Sequence, residues 1–227
     1  MKISKVTITG ADNNTHPADM QKLSDKYPFV EWGILFSKSS AGKDRYPSRE
    51  KIEQFEHLNV NLSAHFCGEY SRNVVLKGDI AEISHHFRFK RVQLNFNFQN
   101  TVPELPLLRR VMYTYPNREF ILQYNQSNVP AINSFLNTPP RNVALLYDAS
   151  GGRGTEIRTF SPSFAQPTGY AGGITPDNVE SICQTLSKMS NPGESPIWID
   201  MESGVRTDNE LDMDKVKKVL EITKNYV

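Results

Sequence analysis

Acidic, thiol and imidazole side chains lie at the ends of short apolar runs in this chain, where they could carry out acid–base chemistry. Asp148 directly follows the run at residues 143–147, and its carboxyl group could donate or accept a proton. His65 and Cys67 alternate near the end of another run, so their side chains share one face of that strand. Near neutral pH an imidazole can exchange a proton, and a cysteine thiolate can act as a base.

Two of these candidates have a second interpretation. Asp12, which follows the first apolar run, could act as a carboxylate base, or it could cap the first helix, because Asp is favoured at helix N-termini. Cys67 could supply a thiolate, or it could be a small packing residue. The sequence leaves these alternatives open, and it also leaves open which face of the strand that carries His65 and Cys67 points inward.

Neutral amide side chains accompany these candidates. Gln93 and Asn95 lie on the fourth apolar run, and Gln123 lies on the fifth. Amides recognise hydroxyls, carbonyls and ring nitrogens by directional hydrogen bonds. Together with Asp200, at the end of the eighth run, they predict a polar substrate pocket. Each could also be a solvated loop residue or a satisfied buried group.

Two glycine-containing segments predict a phosphate site. Gly172 and Gly173 follow the seventh apolar run, and Ser203 and Gly204 follow the eighth, about 30 residues later. Glycines let the backbone approach an anion closely, and the amides at the start of the following helix are unpaired. A tight turn is the alternative for either segment alone, and the repetition on consecutive strands favours phosphate binding.

Basic residues near these segments could add charge to the site. Arg153 lies in a glycine-rich loop, and Lys38 and Arg45 lie on the loop after the second run, where they could bind a phosphate or a carboxylate. An exposed position is the default for such side chains, and Arg206 is predicted to lie at the surface.

The elements that must position these residues are short apolar strands separated by amphipathic helices. Several of the strands are apolar on both faces, as parallel strands are when helices cover the sheet. Ser48 is predicted to cap one helix, and Thr175, with Pro176 at the first helical position, is predicted to open another. Eight strands are predicted, at residues 3–9, 30–36, 61–67, 91–97, 119–124, 143–147, 169–172 and 196–201.

This alternation predicts an α/β fold in which residues 1–227 form one domain, a single (β/α)8 TIM barrel of eight parallel strands. The chain has about 28 residues per βα unit, a compact version of the usual barrel of ~250 residues. An open doubly wound sheet is the alternative, but its first βα turn normally carries a glycine-rich fingerprint that residues 9–17 lack. Loops at the carboxyl ends of barrel strands form the site, so the candidate residues should converge there.

Composition and charge exclude several classes of protein and partner. The chain has 26 Lys and Arg residues and 25 Asp and Glu residues, which give a formal charge of +1. This charge provides no basic surplus of the kind that indicates a nucleic-acid or anionic-membrane partner. The mean hydropathy of −0.50 indicates a soluble globular protein, and no run approaches the ~18 apolar residues needed to span a bilayer. Two cysteines are too few for a zinc cluster or a disulfide framework and fit a reducing compartment. Because the N-terminus lacks a signal-peptide pattern, the chain is predicted to be cytoplasmic.

Four segments in the second half of the chain form an ordered set. They are LLYD at 145–148, GGRGT at 151–155, AGGITPDNV at 171–179 and DMESGV at 200–205. This set resembles the late-barrel motifs of the phosphoribosylanthranilate isomerase family of tryptophan biosynthesis. ITGAD at 8–12 and FSKSSAGKDRYPS at 36–48 are similar more loosely, so the resemblance spans most of the chain and is specific mainly over residues 143–220. It implies a single-domain barrel, a phosphate site from the seventh and eighth strands, and no metal or organic cofactor.

The resemblance also implies roles for individual residues. The family opens a phosphoribosylamine by an Amadori rearrangement, in which an acid protonates the ring oxygen and a base removes the proton from C2. Asp148 occupies the place of the acid. Thr9 occupies the place of the family's cysteine base, and its hydroxyl is too weak an acid to serve as a resting base near neutral pH. Cys67, Asp12 and His65 are the candidates for a replacement base.

Three hypotheses for function follow. In the first, the protein is an isomerase-like enzyme that acts on a small phosphorylated sugar derivative, with Asp148 as the acid. In the second, it is a phosphate-ligand-binding barrel that has lost or repurposed the chemistry, as Thr9 suggests. In the third, it catalyses another barrel reaction with His65, Cys67 and Asp12. The protein is predicted to be a monomer or a homodimer.

Overall fold

The computed structural model describes residues 3–96, 103–148, 165–189 and 195–227, and it forms a closed barrel of eight parallel strands. The strands are β1 (Ile3–Thr9), β2 (Val30–Phe36), β3 (Asn61–Phe66), β4 (Arg91–Leu94), β5 (Glu119–Tyr124), β6 (Val143–Asp148), β7 (Thr168–Ala171) and β8 (Ile197–Met201). They neighbour one another in chain order, and β8 pairs with β1 to close the barrel. The predicted (β/α)8 fold is confirmed.

Helices lie between the strands and cover the outside of the barrel. They are α1 (Pro17–Lys26), α2 (Arg49–Glu56), α3 (Glu69–Lys77), α4 (Ala81–His85), α5 (Leu105–Thr114), α6 (Val129–Leu136), α7 (Val179–Met189) and α8 (Met213–Thr223). A 3₁₀ turn (Ser203–Val205) and a short hairpin, β9 (Arg206–Thr207) and β10 (Glu210–Leu211), follow β8. In the described ranges, no helix is both long and apolar enough to cross a membrane.

The helix starts agree with the sequence pattern at one place and differ at another. Ser48 caps α2 as predicted, because its side chain accepts a hydrogen bond from the backbone N–H of Lys51. α7 begins at Val179 rather than at Pro176, since residues 176–178 form a turn. The N–H of Val179 nevertheless donates to the carbonyl of Thr175, so the turn leads directly into the helix.

One strand, β4, ends three residues earlier than the apolar pattern predicts, while the other strand boundaries differ by no more than one residue. β3 ends at Phe66 and β4 at Leu94, so Cys67 and Asn95 follow their strands. Backbone pairing continues for one residue, because Cys67 N–H donates to the carbonyl of Phe36 and Asn95 N–H to that of Phe66, each at 2.9 Å. The side chains of Cys67 and Asn95 therefore keep the alternation of their strands, whereas residue 97 lies outside the described residues.

Apolar side chains lie on both sides of the barrel wall. Outward-facing residues such as Val6, Ile8 and Ile34 pack with the helices in the main core. Inward-facing Ile121 and Leu146 belong to a separate, smaller cluster inside the barrel. Because strands and helices both bury apolar surface at the outer layer, the hydrophobic effect there is the main force that holds the helices on the barrel.

The amino-terminal end of the barrel interior holds charged side chains where barrels usually hold branched apolar ones. Arg91 forms ion pairs with Glu31 at 2.7 Å and with Glu119 at 2.6 Å. Thr7 donates to Glu31 at 2.9 Å, and the guanidinium carbon of Arg91 lies 4.1 Å from the ring centroid of Trp198. Arg91 and Glu31 are both buried, so each charge depends on the other for compensation.

Candidate functional site

The carboxyl ends of the strands surround a cavity of about 650 Å³, lined by described residues from both predicted groups. The acid–base candidates in its wall are Thr9, His65, Cys67 and Asp148. The binding candidates in its wall are Gln93, Asn95, Gln123, Gly172, Gly173, Asp200, Ser203 and Gly204. The barrel thus brings these residues together at one end. Asp12 is not among them, and Arg153 lies outside the described residues.

Asp12 connects the loop after β1 to the hairpin of β9 and β10. Its Oδ2 accepts hydrogen bonds from Arg206 at 2.8 Å and from the backbone N–H of Leu211 at 3.0 Å, and its Oδ1 accepts from the backbone N–H of Thr15 at 3.1 Å. Both oxygens are occupied and Asp12 does not line the cavity, so its environment does not support a role as the base. Arg206, predicted at the surface, is only 8% exposed, because it also donates to the carbonyl of Gly10.

Thr9 and Asp200 form a buried pair at the ends of β1 and β8. The Thr9 hydroxyl donates to Asp200 Oδ1 at 2.7 Å, and it is the only hydrogen-bond donor to this carboxylate in the described part of the chain. Burial raises the pKa of Asp200 to about 7, opposed by the Thr9 hydrogen bond and reinforced by the charges of Glu202 and Glu31. The carboxyl group can therefore lose and regain a proton near neutral pH.

Asp148 lies in register with Asp200 across one intervening strand. Asp148 on β6 pairs with Ala171 on β7, which pairs with Asp200 on β8. Adjacent strands are about 4.8 Å apart, so the Cα atoms of the two aspartates are roughly 10 Å apart along one wall of the cavity. An acid and a base at this separation can act on neighbouring atoms of one small substrate.

Cys67 has a protonated thiol that is part of a hydrogen-bond chain. Burial raises its pKa to about 11. Its Sγ accepts from Asn95 Nδ2 at 3.3 Å and donates to the carbonyl of His65 at 3.7 Å. The thiolate that general-base catalysis requires is therefore almost absent at neutral pH, which argues against Cys67 as the base.

We expect Cys67, in a Cys183→Ser background, to react with iodoacetamide at pH 7.5 about 100-fold more slowly than the cysteine of an unstructured peptide, because a high pKa leaves little thiolate. Mass spectrometry measures the labelling rate, which should rise about tenfold per pH unit between pH 8 and 10. Rapid labelling at pH 7.5 that ribose 5-phosphate prevents would restore Cys67 as the base.

His65 is buried and neutral. Burial, and secondarily the charge of Arg91, lowers the pKa of His65 to about 3. The ring therefore stays unprotonated near neutral pH and is a weak base, so its environment does not support the predicted acid–base role. Its Nε2 has no hydrogen-bond partner among the described residues, which leaves this atom for a ligand.

The two glycine-containing loops touch each other on the β7–β8 side of the cavity. Gly172 and Gly173 have φ values of +116° and +60°, which glycine adopts without strain. A Cβ on Gly204 would lie 1.9 Å from the carbonyl oxygen of Ile174, so only glycine lets the loops approach this closely. Ser203 and Gly204 begin the 3₁₀ turn, whose first amides have no partner within the turn. These loops can present backbone N–H groups to an anion.

The described basic candidates are paired. Arg45 lines the cavity and forms an ion pair with Glu202. Lys38 is exposed and pairs with Glu69 at 2.8 Å. Since Glu202 offsets the charge of Arg45, an anion in the described part of the cavity would be attracted mainly by backbone amides.

Tyr46 is a cavity residue that the sequence analysis missed. Burial, and secondarily the nearby Cys67, raises the pKa of Tyr46 to about 12. The signal for it was its place on the loop after β2, at the carboxyl end of a strand.

For the residues that the structure describes, no group of three or more His, Cys, Asp or Glu is arranged to hold a metal ion.

Comparison with known proteins relates the second half of the chain to one enzyme family. Residues 125–222 match the family model described as N-(5'-phosphoribosyl)anthranilate isomerase. A multifunctional tryptophan biosynthesis protein of Schizosaccharomyces pombe is 31% identical over 102 residues, which cover 42% of this chain and 12% of that protein. The chain therefore spans only a small part of this curated relative.

Solved structures extend the likeness to the whole barrel at the level of fold. Phosphoribosylanthranilate isomerase from Thermotoga maritima has a TM-score of 0.65 at 20% identity, covering 98% of this chain and 100% of that one. The 3-hexulose-6-phosphate synthase from Salmonella typhimurium has a TM-score of 0.58 at 10% identity, covering 100% of both chains. Together with the match at residues 125–222, these structures show a (β/α)8 barrel whose second half is similar to the phosphoribosylanthranilate isomerase family.

Proposed function

We propose that this protein binds a small phosphorylated sugar derivative at the carboxyl end of the barrel and isomerises it by acid–base chemistry of the Amadori type. The observation that carries the proposal is the register of Asp148 and Asp200 on either side of Ala171. Both carboxyl groups lie beside the glycine loops that follow β7 and β8. A phosphate on those loops would hold the attached sugar next to an acid and a base.

The phosphate is bound chiefly by backbone amides. The contact of Gly204 with Ile174 brings the two loops together, and Asn178 supports the first of them by donating to the carbonyl of Gly173 at 2.8 Å. Amides in such loops bind anions without a charged side chain. The region that matches the isomerase family model, residues 125–222, includes both loops and both aspartates.

Asp148 acts as the acid and Asp200 as the base. Asp148 protonates the ring oxygen of a cyclic phosphorylated aminosugar, the C1–O bond breaks, and a protonated imine forms. Asp200 then removes the proton from C2, and the electrons of that bond form a double bond between C1 and C2. The resulting enolamine becomes the amino ketone when C1 gains a proton and the hydroxyl group on C2 loses its proton.

Thr9 supports Asp200 instead of acting as the base itself. Its hydroxyl donates to Asp200 Oδ1, which orients the carboxylate and leaves Oδ2 for the substrate. A hydroxyl near its ordinary pKa cannot take the C2 proton at neutral pH, whereas a carboxylate whose pKa is about 7 can. In this mechanism the base lies at the end of β8, whereas the family that the chain resembles has its base at the end of β1.

The purified protein is expected to convert phosphoribosylanthranilate, with a change in fluorescence, and to complement a tryptophan auxotroph that lacks this isomerase. Activity should rise with pH through about 7, as Asp200 loses its proton. Asp148→Asn should lower kcat about 100-fold, whereas Asp25→Asn, on the exposed end of α1, should leave kcat unchanged. No fluorescence change with the wild-type protein, together with no complementation, would exclude this reaction.

The alternative is a barrel that binds the phosphorylated ligand without catalysis. It is favoured by Thr9 in the place of the family's cysteine and by the high pKa of the Cys67 thiol. Calorimetry should then show that ribose 5-phosphate binds more tightly than inorganic phosphate, with no turnover of the substrate. A Thr9→Cys variant that gains isomerase activity would show that only the base had been lost.

We further propose that residues 1–227 act as one domain, in the cytoplasm, as a monomer or a homodimer and without a nucleic-acid or membrane partner. The formal charge of +1 supports the last point, because binding to a polyanion usually needs a basic surplus. Light scattering of the purified protein measures the oligomeric state.

A further inference from the structure

Two buried polar atoms in the wall of the cavity have no hydrogen-bond partner among the residues described. They are His65 Nε2 and Gln93 Oε1, on side chains of residues that are 1% and 3% exposed. His65 on β3 and Gln93 on β4 are in register with each other, so the two atoms belong to adjacent positions of one wall. Buried polar groups are usually satisfied, and a cavity is where the missing partner can be a ligand.

A chain of hydrogen bonds fixes which end of the Gln93 amide faces the cavity. The Cys67 thiol donates its one proton to the carbonyl of His65, so its sulfur can only accept from Asn95 Nδ2, at 3.3 Å. Asn95 must then present Oδ1 to Gln93, whose Nε2 donates to it at 2.9 Å. The carbonyl oxygen of Gln93 is left as an acceptor without a donor.

His65 lies beside the proposed base. A Cβ built on Gly33 would be 3.0 Å from His65 Nε2 and 2.4 Å from Thr9 Oγ1. The imidazole and the Thr9 hydroxyl therefore lie close together, on the inward side of Gly33. Thr9 is in turn bonded to Asp200. A ligand group that meets His65 and Gln93 therefore lies close to the carboxylate that removes the proton.

We propose that His65 Nε2 and Gln93 Oε1 form a subsite for a hydroxyl group of the sugar. This proposal rests on the proposed function. It identifies which group of the sugar binds to this wall of the cavity. Gln93 Oε1 can only accept, so the ligand group must carry a proton, which a phosphate or carboxylate oxygen in its anionic form lacks. A hydroxyl can donate to Gln93 and exchange a second hydrogen bond with the neutral imidazole.

The position of the subsite also predicts how the ligand lies. In an eight-stranded barrel, β3 and β4 are opposite β7 and β8, where the glycine loops are. A ligand whose phosphate is on those loops and whose hydroxyl is at His65 and Gln93 must extend across the mouth of the barrel. Asp148 and Asp200 then flank the carbon atoms between the two ends.

Calorimetry with ribose 5-phosphate and with inorganic phosphate tests the subsite. Gln93→Met, which keeps the length of the side chain and removes the acceptor, should weaken ribose 5-phosphate binding about 10-fold and leave phosphate binding unchanged. His65→Phe should have the same effect. Gln184→Met, on the exposed face of α7, is the matched control and should change neither affinity. Wild-type affinity for ribose 5-phosphate in both subsite variants would overturn the proposal, as would an equal loss of inorganic phosphate.

A second measurement separates failure of the subsite from failure of the proposed function. If the wild-type protein binds neither phosphate nor ribose 5-phosphate, the proposed function fails. The subsite is then judged with D-ribose alone, by the ¹⁵N resonances of the His65 imidazole in the wild-type protein. A saturable shift that is absent in Gln93→Met supports the subsite, and no shift at high ribose concentration overturns it.

Discussion

An Arg91→Met variant is expected to lose about 3–5 kcal/mol of the free energy of unfolding, because removal of one partner leaves a buried charge uncompensated. The remaining charge is that of Glu31, which is 2% exposed and accepts from Arg91 at 2.7 Å in the wild-type protein. Methionine keeps much of the volume of the arginine stem, so the loss reports mainly on charge. Urea unfolding followed by circular dichroism measures it.

The control for this experiment is Lys38→Met, which breaks an ion pair with Glu69 whose side chains are 62% and 46% exposed. That change should cost no more than about 1 kcal/mol, since solvent screens exposed pairs. The double variant Arg91→Met, Glu31→Gln should recover most of the loss, because no unpaired charge then remains next to Thr7. If it recovers nothing, the stacking of Arg91 on Trp198 and not its charge stabilises this end of the barrel.

An Asp200→Asn variant is expected to be more stable than the wild-type protein by about 3 kcal/mol at pH 8. Burial raises the pKa of Asp200 from 3.8 to about 7, so the folded state holds this proton more tightly than the unfolded chain does. The resulting stability is fully present below about pH 4 and is lost as the pH rises through about 7. Asparagine does not ionise, and its carbonyl can still accept from Thr9.

The pH dependence distinguishes this effect from a change in packing. The gain in unfolding free energy should shrink towards zero near pH 4, where the carboxyl group is protonated in both states. Asp177→Asn, which removes a carboxylate that is 86% exposed and paired with Lys218, is the control and should change stability by less than about 1 kcal/mol. Equal stability of Asp200→Asn and the wild-type protein at pH 8 would show that Asp200 is not desolvated in solution.

A stabilising Asp200→Asn change would also bear on function. Natural sequences keep a destabilising buried carboxylate when activity depends on it, and the same substitution should then abolish the rise of activity through pH 7. Stability and activity would change in opposite directions at one residue. The high pKa of Asp200 follows from its burial, so the property that costs stability is the property that the proposed base requires.

The sequence analysis predicted the barrel and most of the cavity wall, because both follow from local patterns. Apolar runs at regular spacing predicted the strands, and in a parallel barrel all strands end at the same face, so the residues after each run converge. The prediction that Arg206 lies at the surface was wrong. That error and the unforeseen hydrogen bonding of the Asp12 carboxylate have one shared reason. Arg206 and Asp12 bond to each other at 2.8 Å, although they are 194 positions apart.

The sequence by itself determined the order of the strands, the place of Asp148 and the two glycine loops, because each depends on residues that are neighbours in the chain. Only the tertiary structure decided that His65 and Cys67 point inward and that Thr9 bonds to Asp200, a residue 191 positions away. The pKa values of His65, Cys67 and Asp200 likewise could not be predicted from the sequence. Burial sets the pKa of each of these titratable groups, and burial arises only when the barrel closes around them.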